Sequence, residues 1–248
     1  MKLKLLFTCF IMSTMYGCSN DMESDTTSIE PVIKSTETSF LQEIQSLEQE
    51  GYTVYSKYNL PHYSLAEIEE LEKNSINIDD EEALITRDAS GAIVKGPYGG
   101  TGGYEFRAAL SLNSGESWRK LRAIKIYSHK YIVGLQFFWM NNFGATFSSA
   151  MYGHEREEGN EYWINLEPEE YIQKIGISHG KYVDRLVVYT YNQTTAQKSV
   201  YTYGGTGGSL TTVEIPSDYQ IHGFFGRCGH YIDRLGFYAY SNKMFPIE

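Results

Sequence analysis

Thiols, basic charge and long apolar runs are all scarce in this chain, and each scarcity closes off a class of function. Only Cys9, Cys18 and Cys228 occur: Cys9 lies in an N-terminal leader over residues 1–17, and Cys18, directly after it, is expected to be modified rather than a free thiol. That leaves one thiol, which excludes an internal disulfide framework and a cysteine-ligated metal site. Lysine and arginine total 21 against 31 aspartates and glutamates, a formal net charge of −10. Such a surface argues against nucleic acid as a partner, because binding a polyanion relies on Lys and Arg displacing counterions. No His-Glu-x-x-His, Gly-x-Ser-x-Gly or Gly-x-x-x-x-Gly-Lys-Ser/Thr pattern is present, so no familiar hydrolase or nucleotide motif points to catalysis.

The apolar run Leu5 to Met12 comes after Lys2 and Lys4 and precedes small or neutral residues ending in Gly17-Cys18. It is far too short to cross a bilayer and reads as an export signal over residues 1–17. A cysteine directly after such a glycine resembles the bacterial lipoprotein pattern. That resemblance implies that Cys18 is lipidated and anchors an exported, surface-exposed protein to a membrane; simple secretion is the alternative. Loss of Lys2 and Lys4 with the leader takes the formal charge from −10 to −12.

What the chain has in quantity is aromatic residues and glycine. Aromatics make up 15%, with 21 tyrosines, and there are 23 glycines, a mixture suited to short strands joined by tight turns. Residues 18–38 are rich in Ser, Thr, Asp and Glu without a period, the composition of a flexible tether. Residues 39–89 read as a short helical segment. Phe40, Leu41, Ile44 and Leu47 are at helical spacing before Gly51, and Ser64 and Glu67 form a capping box ahead of Leu65, Ile68 and Leu71. The two stripes are suited to packing on the main domain, or to docking a protein partner.

From about Ser90 the texture changes to strands. Ile124, Ile126, Leu135 and Phe137, then Ile175, Ile177, Leu186 and Val188, alternate as half-buried strands do. Gly229-His230-Tyr231-Ile232-Asp233-Arg234-Leu235 is echoed by Gly180-Lys181-Tyr182-Val183-Asp184-Arg185-Leu186, with 49 residues between the aspartates. Lys130-Tyr131-Ile132-Val133 is the same turn without its glycine and aspartate. A second motif keeps step: Tyr98-Gly99-Gly100-Thr101-Gly102-Gly103 recurs identically as Tyr203 to Gly208, and midway Tyr152-Gly153 opens a loop ending at Gly159. Three units of roughly 50 residues, each with room for about four strands, are too few for a propeller. An all-β prism of three four-stranded sheets is the better solution.

These motifs, in this order, resemble the jacalin-related lectins over about residues 90–241. The resemblance implies a β-prism I fold of Greek-key sheets with pseudo-threefold symmetry that binds sugars without metal or cofactor. It also implies which loop meets which turn. Gly103 joins Gly229, His230, Tyr231 and Asp233 in site one; Gly208 joins Gly180, Lys181, Tyr182 and Asp184 in site two. The third pair unites the eroded Tyr152–Gly159 loop with the His129–Val133 turn. Mannose- or glucose-type glycans are the expected ligands, since the galactose-binding branch uses an amino terminus cut beside the glycine loop and this chain continues upstream of Gly96.

The residue types suit a sugar. An ionised aspartate accepts two hydroxyls through charge-assisted bonds, and a glycine without Cβ lets loop backbone approach the ring. The bland alternative is a structural turn in which aspartate bonds its own backbone. At the level of the whole protein two rivals stand beside a non-enzymatic lectin. One is an interaction or adhesion module that has lost sugar binding; the other is a glycan-processing enzyme using His154-Glu155 or Glu157-Glu158, an acidic loop that reads more simply as solvated surface.

Overall fold

The computed structural model describes residues 30–60, 65–77, 92–109, 119–154 and 159–242. The chain begins with helix α1 (Glu30–Gln49), strand β1 (Tyr52–Ser56), helix α2 (Leu65–Asn74) and strand β2 (Ile76–Asn77). The strand-rich part comes next as β3 (Ile93–Gly99), β4 (Tyr104–Ala109), β5 (Arg119–Ser128), β6 (Ile132–Asn141), β7 (Thr146–Ser148), β8 (Tyr152–Gly153) and β9 (Asn160–Asn165). It ends with β10 (Glu170–His179), β11 (Val183–Asn192), β12 (Lys198–Gly204), β13 (Ser209–Glu214), β14 (Tyr219–Cys228) and β15 (Ile232–Ser241).

Three long hairpins, β5–β6, β10–β11 and β14–β15, are the centres of three sheets. Each carries the same cross-strand layers facing inward: Ile126 opposite Leu135 and Ile124 opposite Phe137, then Ile177 opposite Leu186 and Ile175 opposite Val188. In the last hairpin Phe224 stands opposite Phe237, and Gly226 opposite Leu235. All of these apolar side chains are buried in one core shared by the three sheets, with Phe137 stacked on Phe224 at 4.3 Å. A prism results because each sheet has one apolar face and the three faces satisfy one another. The sheet β3-β15-β14-β4 joins the first strands of the domain to its last two, so the prism closes on itself.

Each hairpin also shifts register just before its turn, at Tyr127/Ser128, Ser178/His179 and Arg227/Cys228. Such irregularities sharpen the local twist and re-aim the residues beyond them. Here they bring the three turns to one end of the prism.

The N-terminal segment departs from expectation in two ways. Helix α1 begins at Glu30, so its first turns take up part of the stretch read as a tether over 18–38. Pro31 sits in the opening turn, where its missing N–H costs nothing, and Gly51 ends the helix in the left-handed region at φ 86°. Ser64 and its capping box lie outside the described residues. Second, the segment is not purely helical. Strand β1 adds in parallel to β12, and β2 to β7, so two sheets have more than four strands. Both additions cover edges that would otherwise be open to pairing with another chain.

Each helix packs part of its stripe on the prism, while Leu41 and Leu65, expected in the same stripes, are exposed. Ile44 and Leu47 of α1 pack on Val54, Val187, Tyr189 and Val200, while Ile68 and Leu71 of α2 pack on Ala123, Phe138 and Trp163. Ion pairs pin them: Glu43 to the buried Arg185 at 2.9 Å, and Glu72 to the buried Lys125 at 2.5 Å.

Phe137 is fully buried, so Phe137→Ala should lower the unfolding free energy by about 3–5 kcal/mol, seen as a fall in the urea midpoint at constant slope. Ile68→Ala, at a partly buried contact, should cost markedly less. Equal losses would show that α2 is as integral to the core as the hairpins.

Candidate functional site

The three turns share one internal hydrogen bond. The N–H of Gly229 donates to the Tyr231 carbonyl at 3.0 Å, that of Gly180 to Tyr182 at 3.0 Å, and that of His129 to Tyr131 at 3.2 Å. Each turn also receives a loop. Gly100 N–H donates to the Asp233 carbonyl at 2.8 Å, Gly205 N–H to that of Asp184 at 2.8 Å, and His154 N–H to that of Val133 at 3.1 Å. The loop–turn pairing expected from the family pattern is therefore the pairing the backbone adopts.

Within each of the first two pairs an aspartate lies against the end of the glycine loop. A β-carbon on Gly102 would stand 2.3 Å from Asp233 Oδ1, and one on Gly103 2.6 Å from Oδ2. Site two repeats this: Gly207 would meet Asp184 Oδ1 at 2.5 Å and Gly208 would meet Oδ2 at 2.6 Å. Gly103 and Gly208 adopt φ of 64° and 71°, so both sterics and backbone conformation call for glycine. Gly180 and Gly229 border the same carboxylates, with Oδ2 atoms at 3.9 and 3.8 Å from where their β-carbons would be.

Both aspartates are 6% exposed. Burial pushes the Asp233 carboxyl above the ordinary aspartate range, with the positive charges of Arg227 and Lys181 pulling the other way. Asp184 is raised for the same reason, against His179 and Lys130. Each carboxylate thus senses a lysine from the neighbouring turn, and the loops interlock in the same sense: Gly100 lies against the Lys181 carbonyl and Gly205 against that of Lys130.

Arg227 supports site one in a way its sequence context does not announce. Its Nε donates to the Gly102 carbonyl at 2.8 Å and one guanidinium nitrogen to that of Gly103 at 2.6 Å, while the other pairs with Glu105 at 3.0 Å. In site two Ser178 Oγ donates to the Gly207 carbonyl at 2.5 Å. The available signal was position, since each of these residues precedes its aspartate by the same six places at the register shift.

The turn tyrosines are used differently from the aspartates. Tyr131, Tyr182 and Tyr231 pack on one another with centroids 5.0–5.3 Å apart, an aromatic cap between the three turns. His230 packs against Tyr231 at 4.8 Å and against His154 of the third loop at 4.7 Å, and Lys181 extends over Tyr182 at 5.1 Å. Cys228 is half-buried against the core. Residues 155–158, which include Glu155, Glu157 and Glu158, lie outside the described residues. Among the described residues no group of three or more His, Cys, Asp or Glu is placed to hold a metal ion.

Comparison with known proteins gives this geometry a family. The model of the jacalin-like lectin domain matches residues 95–238. A mannose/glucose-specific lectin of Parkia platycephala is 30% identical over 156 residues, 60% of this chain and 32% of its own length. The chain thus spans about a third of that relative. Horcolin of Hordeum vulgare is 34% identical over 80 residues, 32% of this chain and 55% of its own. Among solved structures, artocarpin complexed with Me-alpha-mannose superposes with a TM-score of 0.50 at 22% identity, covering 61% of this chain and 99% of artocarpin, a likeness of fold. With the match running from the first glycine loop through the last aspartate turn, the chain belongs to the jacalin-like lectin domain family.

Proposed function

We propose that this protein is a non-enzymatic carbohydrate-binding protein that takes mannose- or glucose-type glycans at two sites, one under Asp233 and one under Asp184. The observation that carries the reading is the third turn. His129–Val133 keeps the hydrogen bond within the turn and the one to its loop with no glycine at its start and no aspartate at its end. The turn therefore does not need the aspartate in order to form. Yet Asp233 and Asp184 are buried at a cost beside glycines whose missing β-carbons leave their carboxylates room, with one backbone hydrogen bond each, from Gly229 and from Asp184 itself. A carboxylate held this way accepts two vicinal hydroxyls, and backbone N–H groups of the turn reach the ring oxygen. The Parkia relative's specificity for mannose and glucose supports the sugar class.

Lipidation at Cys18 and display on the outside of a bacterial cell complete the proposal, supported by the leader and by Gly17-Cys18. Labelling with a fatty-acid analogue in the producing cell should mark the wild-type chain and not Cys18→Ala. Label on both would overturn the anchor.

Calorimetric titration with a mannose-terminated glycan should give two sites per chain. Asp233→Asn and Asp184→Asn should each remove one, weakening it by about tenfold to a hundredfold for a lost pair of charge-assisted hydrogen bonds. Binding that survives the double variant would sink the assignment and leave an interaction module on a lectin fold.

Acidification offers a second check. The ionised carboxylate is the accepting form, and burial holds both aspartates above their ordinary range. Affinity should therefore fall with decreasing pH, with a midpoint above the unperturbed aspartate value of about 3.9. A flat affinity down to about that value would remove the carboxylates from the site.

A further inference from the structure

At the end of the prism away from the turns, a cavity of about 270 Å³ opens between β12, β5, the connection from β9 to β10, and the N-terminal segment. It is remote from both aspartates: along β11, Asp184 to Asn192 spans roughly 26 Å at about 3.3 Å per residue. Two of its walls, Tyr55 of β1 and Glu67 of α2, belong to the segment outside the family match. The cavity is thus a product of what this chain adds to the prism.

We infer that this cavity is a separate ligand site for a small hydroxylated amine of the size of a hexosamine. The volume equals roughly nine water molecules at about 30 Å³ each, space for a ligand of about a dozen non-hydrogen atoms. The lining is polar yet deep: Ser199, Tyr201, Glu170 and Asn192 are only 3–6% exposed. It is also braced. Thr190 donates to Glu170 Oε1, the Glu167 N–H donates to Glu170 Oε2 at 3.1 Å, and Asn192 Nδ2 donates to Glu167 Oε2 at 2.5 Å. Preset polar groups around a void of this size are what a specific site requires.

Charge selects the ligand class. Glu67, Glu167 and Glu170 face a single guanidinium, that of Arg122, whose terminal nitrogen is directed to Asn165 Oδ1 at 2.7 Å. Among the described lining residues three carboxylates stand against one cation, and even with Lys120 acting on Glu170 from outside the cavity the balance stays negative, which rejects an anion and favours an ammonium. Burial already pushes the Glu170 carboxyl upward, an unfavourable state that an incoming positive charge relieves. The hydroxyl groups of such a ligand find Asn192, Gln197 and Ser199, while the stacked rings of Tyr55 and Tyr201, 5.0 Å apart, form a flat wall for its carbon face.

The test is calorimetric titration of the full chain carrying both Asp184→Asn and Asp233→Asn, so that the turn sites are silent. Glucosamine below neutral pH should bind saturably at one site. Glucose, lacking the amine, and putrescine, lacking the hydroxyls, should each bind at least about tenfold more weakly, the worth of one charge-assisted contact or of several neutral ones. Glu167→Gln should weaken glucosamine by a similar factor. Gln197→Trp, at an exposed position on the rim, should block entry without touching the core, and it carries the test if Glu167→Gln fails to fold. No saturable binding of glucosamine would overturn the site. Equal binding of glucose or putrescine, or indifference to both substitutions, would overturn the ligand class.

Discussion

Backbone lying directly on backbone, between a glycine loop and the turn it meets, is the constraint on which this prism depends. A β-carbon at Gly99 would stand 2.2 Å from the Asp233 carbonyl oxygen, one at Gly204 2.3 Å from that of Asp184, and one at Gly153 2.2 Å from that of Val133. No side chain fits at any of the three. Since Gly99 ends β3 and Asp233 lies at the start of β15, closing the first sheet and assembling site one are a single event. Architecture and recognition are therefore not separable at this end of the molecule, although they are at the level of the carboxylate.

The interlocking runs around the axis in one direction. The loop of site one rests on the turn of site two at Lys181, and the loop of site two rests on the third turn at Lys130. The three tyrosines fill the space that remains between the turns. A unit that lost its sugar contacts would still have to keep its backbone, because a neighbouring site leans on it. The third turn and loop fit that constraint: they have the same hydrogen bonds without the glycine and aspartate of the other two turns.

Much of this was legible in the sequence because it is periodic. The alternation of Ile124, Ile126, Leu135 and Phe137 and its later echoes named the core strands, since burial on one face of a pleated strand leaves a period of two. Recurrence of the Gly-Gly-Thr-Gly-Gly loop and the aspartate turn named the two loop–turn pairs in which a buried carboxylate meets a glycine loop. What escaped notice was non-periodic. Tyr52–Ser56 comes after Gly51 as five residues with no internal partner in sequence, and pairs with β12 about 150 positions later. Arg227 carries no signal in the repeated motifs, because its bonds to the glycine loop depend on a register shift that no local pattern announces. The cavity draws on β1, α2, β5, β10 and β12 at once, so only the folded chain could show it. Tyr182 and Tyr231 come to the two sites through the family resemblance; in the fold their rings pack on each other and on Tyr131 around the axis.

If sugar is taken at the two aspartate turns and not at the third, as proposed, the number of sites decides what kind of glycan this end of the prism grips. Two sites fixed on one rigid end define a single separation and direction, whereas three would define a triangle. The second arm of a branched glycan then meets its site at an effective concentration that is high when the span matches and falls to nothing when it does not. Rigidity sharpens that dependence, because loops locked to turns by backbone contacts do not adjust the distance. The proposed two-site geometry would therefore favour selection by branch spacing, with discrimination residing in the pair of contacts. On that reading a third working site would relax the choice by offering alternative pairs, so a turn without glycine and aspartate would sharpen the selection by not binding.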